Sequence, residues 1–288
     1  MILHEDDATP WSQLRVSGDH ILLFVSNLRG KELNRRNDID AVQFFHIEKS
    51  SQTLQHIQKI YLDLPAKKYL SFCDFNSKYL IGSRKRETLV EVWDLGQTFQ
   101  DQESKHLKAP VIWTSDISYG NLVKCTSLLL NYPEAFIGKS IGCCDIVDVN
   151  LNTPLRRLIH GSKPSFSCPN PIIGVKLTGF HVLTLDLNGK FMVWDKNRVI
   201  GLNNEEFSLN NPLWSCKSTE KLNKITSLKA DDTKIVTEEV SSLNADKNSI
   251  VVYDFWVKKP GRSSSTTSFS SNKRIRIETQ RDKDYVYY

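Results

Sequence analysis

A pattern that recurs about every 50 residues constrains the fold of this chain most strongly. Each copy begins with a turn, continues as an alternating run of β-branched or aromatic residues, and ends on an aromatic or aliphatic residue followed by Asp. Alternation with a period of two indicates a strand that is buried on one face. Four copies are clear and a fifth has His46 in place of the Asp: 88–95, 143–149, 190–196 and 249–255, with the weaker copy at 41–47.

Further strand-like runs flank each copy. Two runs precede each copy at similar distances, and a third run follows four of the copies. This order is typical of a four-stranded antiparallel unit, and helical periodicity with capping residues is not found, so the sequence predicts an all-β chain. The preceding runs are 13–16 with 21–26, 68–75 with 78–83, 122–130 with 135–139, 172–177 with 181–186, and 225–229 with 234–237; the following runs are 53–60, 111–115, 155–159 and 213–216.

Two of these copies resemble repeats of the WD-repeat (WD40) β-propeller family. Residues 183–195 read as a strand, an Asn-Gly turn and a strand that closes on Trp-Asp, and residues 81–94 close in the same way. Residues 137–149 are similar, but Val147 replaces the Trp. The resemblance implies a β-propeller of four-stranded antiparallel blades, of which five are visible. Its structural repeat positions would be Trp93, Asp94, Asp148, Trp194, Asp195, Tyr253 and Asp254.

The sequence also departs from the family pattern. The family's Gly-His dipeptide has no counterpart, and the nearest match is the reversed pair His160-Gly161. The family's hydrogen-bond network of His, Ser or Thr, and Trp is therefore not carried over, and we expect the blades to be held mainly by apolar packing. Because the family usually closes with seven blades, three outcomes stay open: cryptic blades, a five-bladed ring, or an open array that a partner completes. Residues 1–4 are expected to supply the outer strand beside 250–255.

Composition and charge divide the chain at residue 258. A content of 40% hydrophobic and 25% charged residues is that of a globular protein. Residues 258–288 contain eight Lys or Arg and three Asp or Glu, which accounts for the whole formal charge of +5 and leaves residues 1–257 neutral. The sequence thus predicts a propeller over 1–257 and a basic, Ser/Thr-rich flexible tail over 258–288. The tail could be a nuclear-import signal adjusted by phosphorylation, a solubilising segment, or the source of a strand added to a sheet edge.

Signatures of membranes, metals and catalysis are missing from the sequence. No run approaches the roughly 20 apolar residues that a membrane span requires, so we expect a cytoplasmic or nuclear protein. The six Cys and seven His show no metal-ligand or redox spacing, and neither a nucleophile elbow nor a Gly-rich phosphate loop is found. The sequence therefore predicts no metal, no cofactor and no catalytic residue. The recurring Asp positions indicate a structural role in turns, as acceptors of backbone hydrogen bonds.

Loops that interrupt the repeat are the candidate binding sites, because a rigid propeller presents its loops on two faces. The polar insertions are 27–40, 97–108 and 196–212, and plain solvated loops are the alternative for each. A basic run in a turn of the second repeat would suit an acidic peptide or phosphate, although a solvated turn is the competing interpretation. The candidate partner-binding residues are Arg29, Lys31, Arg35, Arg36, Arg84, Lys85 and Arg86.

The function expected from this resemblance is that of a non-catalytic scaffold or adaptor, a subunit that binds a protein partner or peptide on the propeller face. Two alternatives stay open: a substrate receptor of a ubiquitin ligase, and a propeller enzyme or RNA-modification subunit. Nucleic acid is expected to bind only through the basic tail, and no membrane binding is expected.

Overall fold

The computed structural model describes 15 stretches of the chain, within two compact units that are considered separately. Unit 1 comprises Met1–Lys139 and Ile146–Pro154, and unit 2 comprises Ser140–Asp145 and Leu155–Tyr288. Among the described residues, no helix is long and apolar enough to cross a membrane. The described residues are 13–17, 19–25, 41–48, 50–51, 53–62, 70–76, 78–84, 89–102, 106–116, 123–161, 170–200, 212–217, 223–241, 247–254 and 274–280.

Nearly all regular structure in the described residues is β-strand. The strands are β1 (Gln13–Ser17), β2 (His20–Val25), β3 (Ala41–Glu48), β4 (Thr53–Leu62), β5 (Leu70–Asn76), β6 (Tyr79–Arg84), β7 (Leu89–Asp94), β8 (Phe99–Gln100), β9 (Leu107–Ala109), β10 (Val111–Asp116), β11 (Cys125–Asn131), β12 (Glu134–Lys139), β13 (Cys143–Asp148), β14 (Thr153–Ile159), β15 (Ile172–Leu177), β16 (His181–Asp186), β17 (Lys190–Asp195), β18 (Trp214–Lys217), β19 (Asn223–Ala230), β20 (Lys234–Ser241), β21 (Lys247–Asp254) and β22 (Arg274–Gln280). One short helix, α1 (Lys196–Ile200), follows β17.

The strands form five sheets. Sheets 2 to 5 have four strands each, in the orders β10-β7-β6-β5, β11-β12-β13-β14, β15-β16-β17-β18 and β19-β20-β21-β22. Sheet 1 has the order β1-β2-β3-β4-β9-β8, so a fifth and sixth strand extend its four-stranded unit. The prediction of an all-β chain with four-stranded antiparallel units is confirmed, and the predicted strands of all five repeats are present.

The repetition extends to the pairing register in sheets 1, 2, 4 and 5. In sheets 2, 4 and 5 the first residue of the second strand pairs with the Asp that ends the third strand, as in Tyr79 with Asp94 and His181 with Asp195. Lys234 pairs with Asp254 in the same way. Sheet 1 pairs His20 with His46 at this position, which explains how His46 takes the place of the Asp.

A β-bulge is a second repeated feature, and the sequence pattern did not predict it. The register shifts by one residue near the start of the first strand in each of sheets 2 to 5. A bulge leaves one residue unpaired and increases the local twist of its strand. The bulges lie between Leu70 and Phe72, Cys125 and Ser127, Ile172 and Gly174, and Ile225 and Ser227.

Apolar side chains pack between neighbouring sheets within each unit. In unit 1, one buried cluster joins sheets 1 and 2 and includes Val42, Ile60 and Trp93, while a second cluster joins sheets 2 and 3 and includes Val92 and Ile137. In unit 2, a buried cluster joins sheets 4 and 5; its members are Leu183, Leu185, Phe191, Val193, Trp214, Ile235, Val251 and Tyr253. Because alternate residues of a strand face opposite sides, each sheet can contribute to two such clusters.

One polar insertion adds strands to another sheet. Residues 97–108 are expected to be a loop of the second repeat, but they contain β8 and most of β9, which pair with each other. Strand β9 also pairs in parallel with the end of β4, where Tyr61 lies opposite Lys108 and Leu62 opposite Ala109. The insertion therefore covers part of the outer edge of sheet 1.

The outer strand of sheet 5 comes from the C-terminal segment. Strand β22 pairs antiparallel with β21 over seven residue pairs, from Tyr253 with Arg274 to Lys247 with Gln280. The expectation that residues 1–4 would supply this strand is therefore wrong, because β22 occupies the edge of β21. Residues 1–4 themselves, like the predicted insertion 27–40, lie outside the described residues.

Candidate functional site

The aspartates that end the third strands bind backbone amides of the turns that follow. The carboxylate of Asp94 accepts hydrogen bonds from the amides of Gly96 (2.8 Å) and Gln97 (3.2 Å). That of Asp148 accepts one from Leu151 at 2.9 Å. Such contacts satisfy amides that have no strand partner, so these carboxylates are fixed by the turns.

In sheet 4 the same kind of aspartate begins a helix. The Asp195 carboxylate accepts hydrogen bonds from the amides of Asn197 (2.9 Å) and Arg198 (3.4 Å). These are the amides that an N-cap residue of a helix satisfies, which explains why α1 starts directly after β17. The side chain of Asp254 lies outside the described residues.

A buried hydrogen-bond network lies in unit 2 at Trp194. The indole Nε1 of Trp194 donates to Oγ1 of Thr184 at 2.9 Å, and Nε2 of His160 lies 2.6 Å from the same oxygen. Nδ1 of His160 is 3.2 Å from Oδ2 of Asp186. The side chains of His160 and Asp186 are 1% and 0% exposed, so the network is closed to solvent.

This network corrects one expectation from the sequence. A network of His, Ser or Thr, and Trp is not expected from the sequence, because the Gly-His dipeptide is missing, but His160, Thr184 and Trp194 form one. His160 follows β14 directly, and its own amide donates to the carbonyl of Gly142 at 2.9 Å. The order of the dipeptide is therefore not required to place the imidazole.

Asp186, the carboxylate of this network, accepts several further hydrogen bonds. Its Oδ1 accepts from the amides of Asn188 (3.0 Å) and Lys190 (2.9 Å), and Asn170 Nδ2 lies 3.2 Å from Oδ2. Gly189 in the same turn has φ 74°, which agrees with the predicted Asn-Gly turn. The network thus ties the turn between β16 and β17 to the buried Trp194.

Sheet 5 has a shorter version of this arrangement. By register, Thr237, Glu239 and Tyr253 occupy the positions that Thr184, Asp186 and Trp194 hold in sheet 4. The hydroxyls of Tyr253 (2.8 Å) and Thr237 (3.1 Å) both donate to Oε1 of Glu239. The longer carboxylate side chain and the phenol connect directly, without an imidazole between them.

A group of exposed and partly buried side chains lies at the turns of sheets 2 and 3, within unit 1. We call it the tyrosine surface, and it consists of Lys78, Tyr79, Tyr132, Asn150 and Leu151. The rings of Tyr79 and Tyr132 are stacked, with centroids 3.8 Å apart and planes inclined by 13°. Both rings also pack against the buried cluster between sheets 2 and 3. This packing fixes the stack on rigid strands.

The polar atoms of the tyrosine surface lie close together. Lys78 Nζ is 5.0 Å from the centroid of the Tyr79 ring and 3.9 Å from Oδ2 of Asp94. A hydrogen bond with Tyr79 and the charge of Asp94 raise the pKa of Lys78 above its ordinary value. Burial and a hydrogen bond with Tyr79 raise the pKa of Tyr132, whose hydroxyl contacts Oδ1 of Asn150. At neutral pH, Lys78 is thus a cation and Tyr132 a neutral phenol.

Two turns position the remaining members of the surface. The amide of Leu95 donates to the carbonyl of Lys78, and that of Val149 donates to Pro133, so in each sheet the two turns lie side by side. Leu151 projects from the second of these turns in sheet 3 and is 64% exposed.

The side chains of the basic residues predicted to bind a partner lie outside the described part of the chain. Arg84 is the last residue of β6, and its side chain lies outside the described residues, as do Arg29, Lys31, Arg35, Arg36, Lys85 and Arg86. Sequence reasoning did not select Tyr79 and Tyr132, because nothing in their local patterns distinguishes them from core residues. The signal that the sequence does contain is their position beside turns in consecutive repeats.

Within the described residues, no group of three or more His, Cys, Asp or Glu is placed to hold a metal ion. Among the described cysteine side chains, Cys125, Cys143 and Cys144 are buried and Cys216 is partly exposed. Burial raises the pKa of Cys125 to about 12, despite the opposing effects of Ser83 and Lys139. A thiol in this state is a weak nucleophile.

Comparison with known proteins gives a likeness of fold only. No protein-family model and no curated protein matches the chain. The computationally designed protein Ika8 matches over 84% of this chain and 57% of its own length, with 13% identity and a TM-score of 0.50. The yeast protein KlHsv2 with loop 6CD replaced by a Gly-Ser linker matches over 86% and 67%, with 12% identity and a TM-score of 0.51. The chain thus spans little more than half the length of the designed protein.

Proposed function

We propose that this chain is a β-propeller similar to those of the WD-repeat family and works as a non-catalytic adaptor that binds a protein partner. Three features support the propeller: the common strand order of sheets 2 to 5, their common bulge, and the buried contacts of Trp194 with Thr184 and His160. An experimental structure of the full chain tests this part, because it would count the blades and locate any open edge.

The observation that carries the adaptor proposal is the tyrosine surface. Tyrosine is enriched at the energetic centres of protein interfaces, because it offers a large apolar ring and a hydroxyl at a low cost in conformational entropy. Here two such rings are already stacked, and Lys78 and Leu151 beside them are 52% and 64% exposed. A partner would gain apolar and polar contacts without having to order these side chains first.

Affinity purification of the full chain from its own cells tests the adaptor proposal. We expect at least one protein to co-purify in stoichiometric amount and to be lost with the double variant Tyr79→Ala/Tyr132→Ala. Tyr61→Ala is the matched control, because Tyr61 also packs against another ring, that of His106, at a centroid distance of 4.1 Å. A partner set that is unchanged by the double variant would contradict the assignment of this surface.

Measurements of folding and of enzymatic turnover complete the test of the adaptor proposal. Circular dichroism of each variant must match that of the unaltered chain, so that a lost partner reflects a lost contact. Turnover of a substrate by the isolated chain would overturn the non-catalytic part of the proposal.

A further inference from the structure

The tyrosine surface exposes a cation, Lys78, while the carboxylates of its turns accept hydrogen bonds from backbone amides. Asp94, whose side chain is 4% exposed, accepts two turn amides, and Asp148 accepts one. Lys78 approaches Asp94 only at 3.9 Å, which is the outer limit of an ion pair, and is 52% exposed. Its ammonium can therefore take a further acceptor without breaking a short contact.

The hydroxyls of the stacked rings lie beside this cation, and that of Tyr132 already donates to Oδ1 of Asn150. Tyr79 interacts with Lys78 and with Tyr132 through its hydroxyl, so the three polar groups lie within one small area. A carboxylate has two oxygens and several lone pairs, and it forms its strongest hydrogen bonds with charged donors. The exposed cation of this surface, Lys78, is thus matched to one carboxylate.

The apolar component of the surface limits the kind of ligand further. Leu151 is 64% exposed and is held by the hydrogen bond from its amide to Asp148. The next residue, Asn152, accepts a hydrogen bond of 2.8 Å from Nε1 of the buried Trp113. The turn is therefore anchored to the core and presents Leu151 at a fixed place.

We propose that the tyrosine surface binds an acidic segment of a protein partner, in which an Asp or Glu carboxylate contacts Lys78 beside the stacked rings while a neighbouring apolar side chain packs on Leu151. This inference rests on the proposed function and names the chemistry of its partner. Nucleic acid fits less well, because a polyanion requires several cations and this surface contains one.

Two matched peptides test the proposal by fluorescence anisotropy with the full chain. The acidic probe is a fluorescein-labelled dodecapeptide of repeating Leu-Glu-Asp, and the neutral probe is the isosteric Leu-Gln-Asn repeat. We expect the acidic probe to bind at least tenfold more tightly than the neutral one, and its affinity to fall as salt is raised. Equal affinity of the two probes would overturn the proposal.

Variants then locate the binding. Lys78→Met is expected to weaken binding of the acidic probe at least fivefold, because it removes the charged donor. Lys59→Met is the matched control, because Lys59 Nζ also lies 5.0 Å over a tyrosine ring, that of Tyr61, and the charge change is the same. An equal loss in both lysine variants would show a general charge effect and would refute the assigned site.

Competition separates the remaining ligand classes. Displacement of the acidic probe by a single-stranded oligonucleotide, with Lys78→Met reducing both affinities, would assign the surface to nucleic acid and overturn the proposal. If the peptides fail but the cellular partner is still lost with Tyr79→Ala/Tyr132→Ala, the acidic chemistry is wrong while the adaptor function stands. If the partner is retained, the adaptor assignment itself fails.

Discussion

Trp93 in β7 occupies the same register position as Trp194 in β17, yet only the indole of Trp194 has a hydrogen-bond partner. Each Trp lies opposite the second residue of the preceding strand, and two residues further along that strand stands Thr184 in sheet 4 but Gly82 in sheet 2. Trp93 Nε1 is consequently buried without a partner. An unsatisfied buried donor costs about 1–3 kcal/mol, which the complete burial of the indole offsets.

Replacement of Thr184 by Val is expected to leave the indole of Trp194 without a hydrogen-bond partner, as the indole of Trp93 is in sheet 2. The change keeps the volume but leaves Trp194 Nε1 and His160 Nε2 without their shared oxygen. Because both groups are buried, we expect the free energy of unfolding to fall by about 2–4 kcal/mol in urea denaturation. Thr114→Val, at an exposed strand position, should change it by less than about 0.5 kcal/mol. Similar values for the two variants would show that the network adds nothing.

Gly82 is expected to be intolerant of a side chain. An added Cβ would lie 2.5 Å from Cδ1 of Leu70 and 3.1 Å from Cζ3 of Trp93, so Gly82→Ala should destabilise the protein by about 1–3 kcal/mol through overpacking. Removing the obstructing side chain makes room. The double variant Leu70→Ala/Gly82→Ala should therefore be more stable than the sum of the single changes predicts, and strict additivity would contradict this steric account.

The alternation of residues was sufficient to locate the strands, because a period of two reports burial on one face whatever the neighbouring sheet is. It could not place His160, since the position of that imidazole depends on the end of β14 and on Gly142, not on the dipeptide order. It also missed β8, β9 and β22. The first two have two and three residues, and β22 lies in a polar, basic segment whose composition does not distinguish a strand from a tail.

The tyrosine surface illustrates a different limit. Tyr79 and Tyr132 are 53 positions apart, and their stacking depends on how sheets 2 and 3 pack, which no local pattern encodes. The basic runs, in contrast, are predicted as binding sites because their charges are adjacent in sequence. Side chains from equivalent turns of consecutive repeats come into contact only when the sheets pack, so the sequence alone does not show which of them will meet.

Asp232 is expected to make the stability of unit 2 depend on pH. It links sheet 5 to sheet 4 through a hydrogen bond from the amide of Phe180 at 2.9 Å, a contact with Thr178, and Nδ1 of His181 at 3.4 Å. Burial by itself would raise the pKa of Asp232, but the hydrogen bonds from Thr178 and Phe180 and the nearby His181 lower it below its ordinary value.

A carboxylate whose pKa is lowered by folding stabilises the folded state at pH values above its pKa in the unfolded chain, which is about 3.9. This contribution is lost as the pH falls through the pKa of the folded state. The difference in unfolding free energy between the unaltered chain and Asp232→Asn should therefore be larger at pH 7 than at pH 3. Urea denaturation at both pH values measures it. A difference that does not shrink at pH 3 would show that the charge of Asp232 is unimportant.

Cys125 is expected to resist alkylation in the native protein. Burial and a pKa of about 12 leave almost no thiolate at pH 8, whereas Cys216 is partly exposed. Mass spectrometry after brief treatment with iodoacetamide should find Cys216 modified well before Cys125, and both modified in guanidinium chloride. Equal native rates would mean that the core between sheets 2 and 3 opens readily.

The pairing of β22 with β21 predicts different effects for two truncations. Ending the chain after residue 280 keeps all seven pairs of this strand and should leave the thermal midpoint nearly unchanged. Ending it after residue 273 removes β22 and exposes the outer edge of β21, and we expect a midpoint lower by several degrees together with concentration-dependent aggregation. Circular dichroism and light scattering measure both effects. If the two truncated chains melt alike, residues 274–280 contribute no strand in solution, and the segment from 258 onward acts as the tail that its composition indicates.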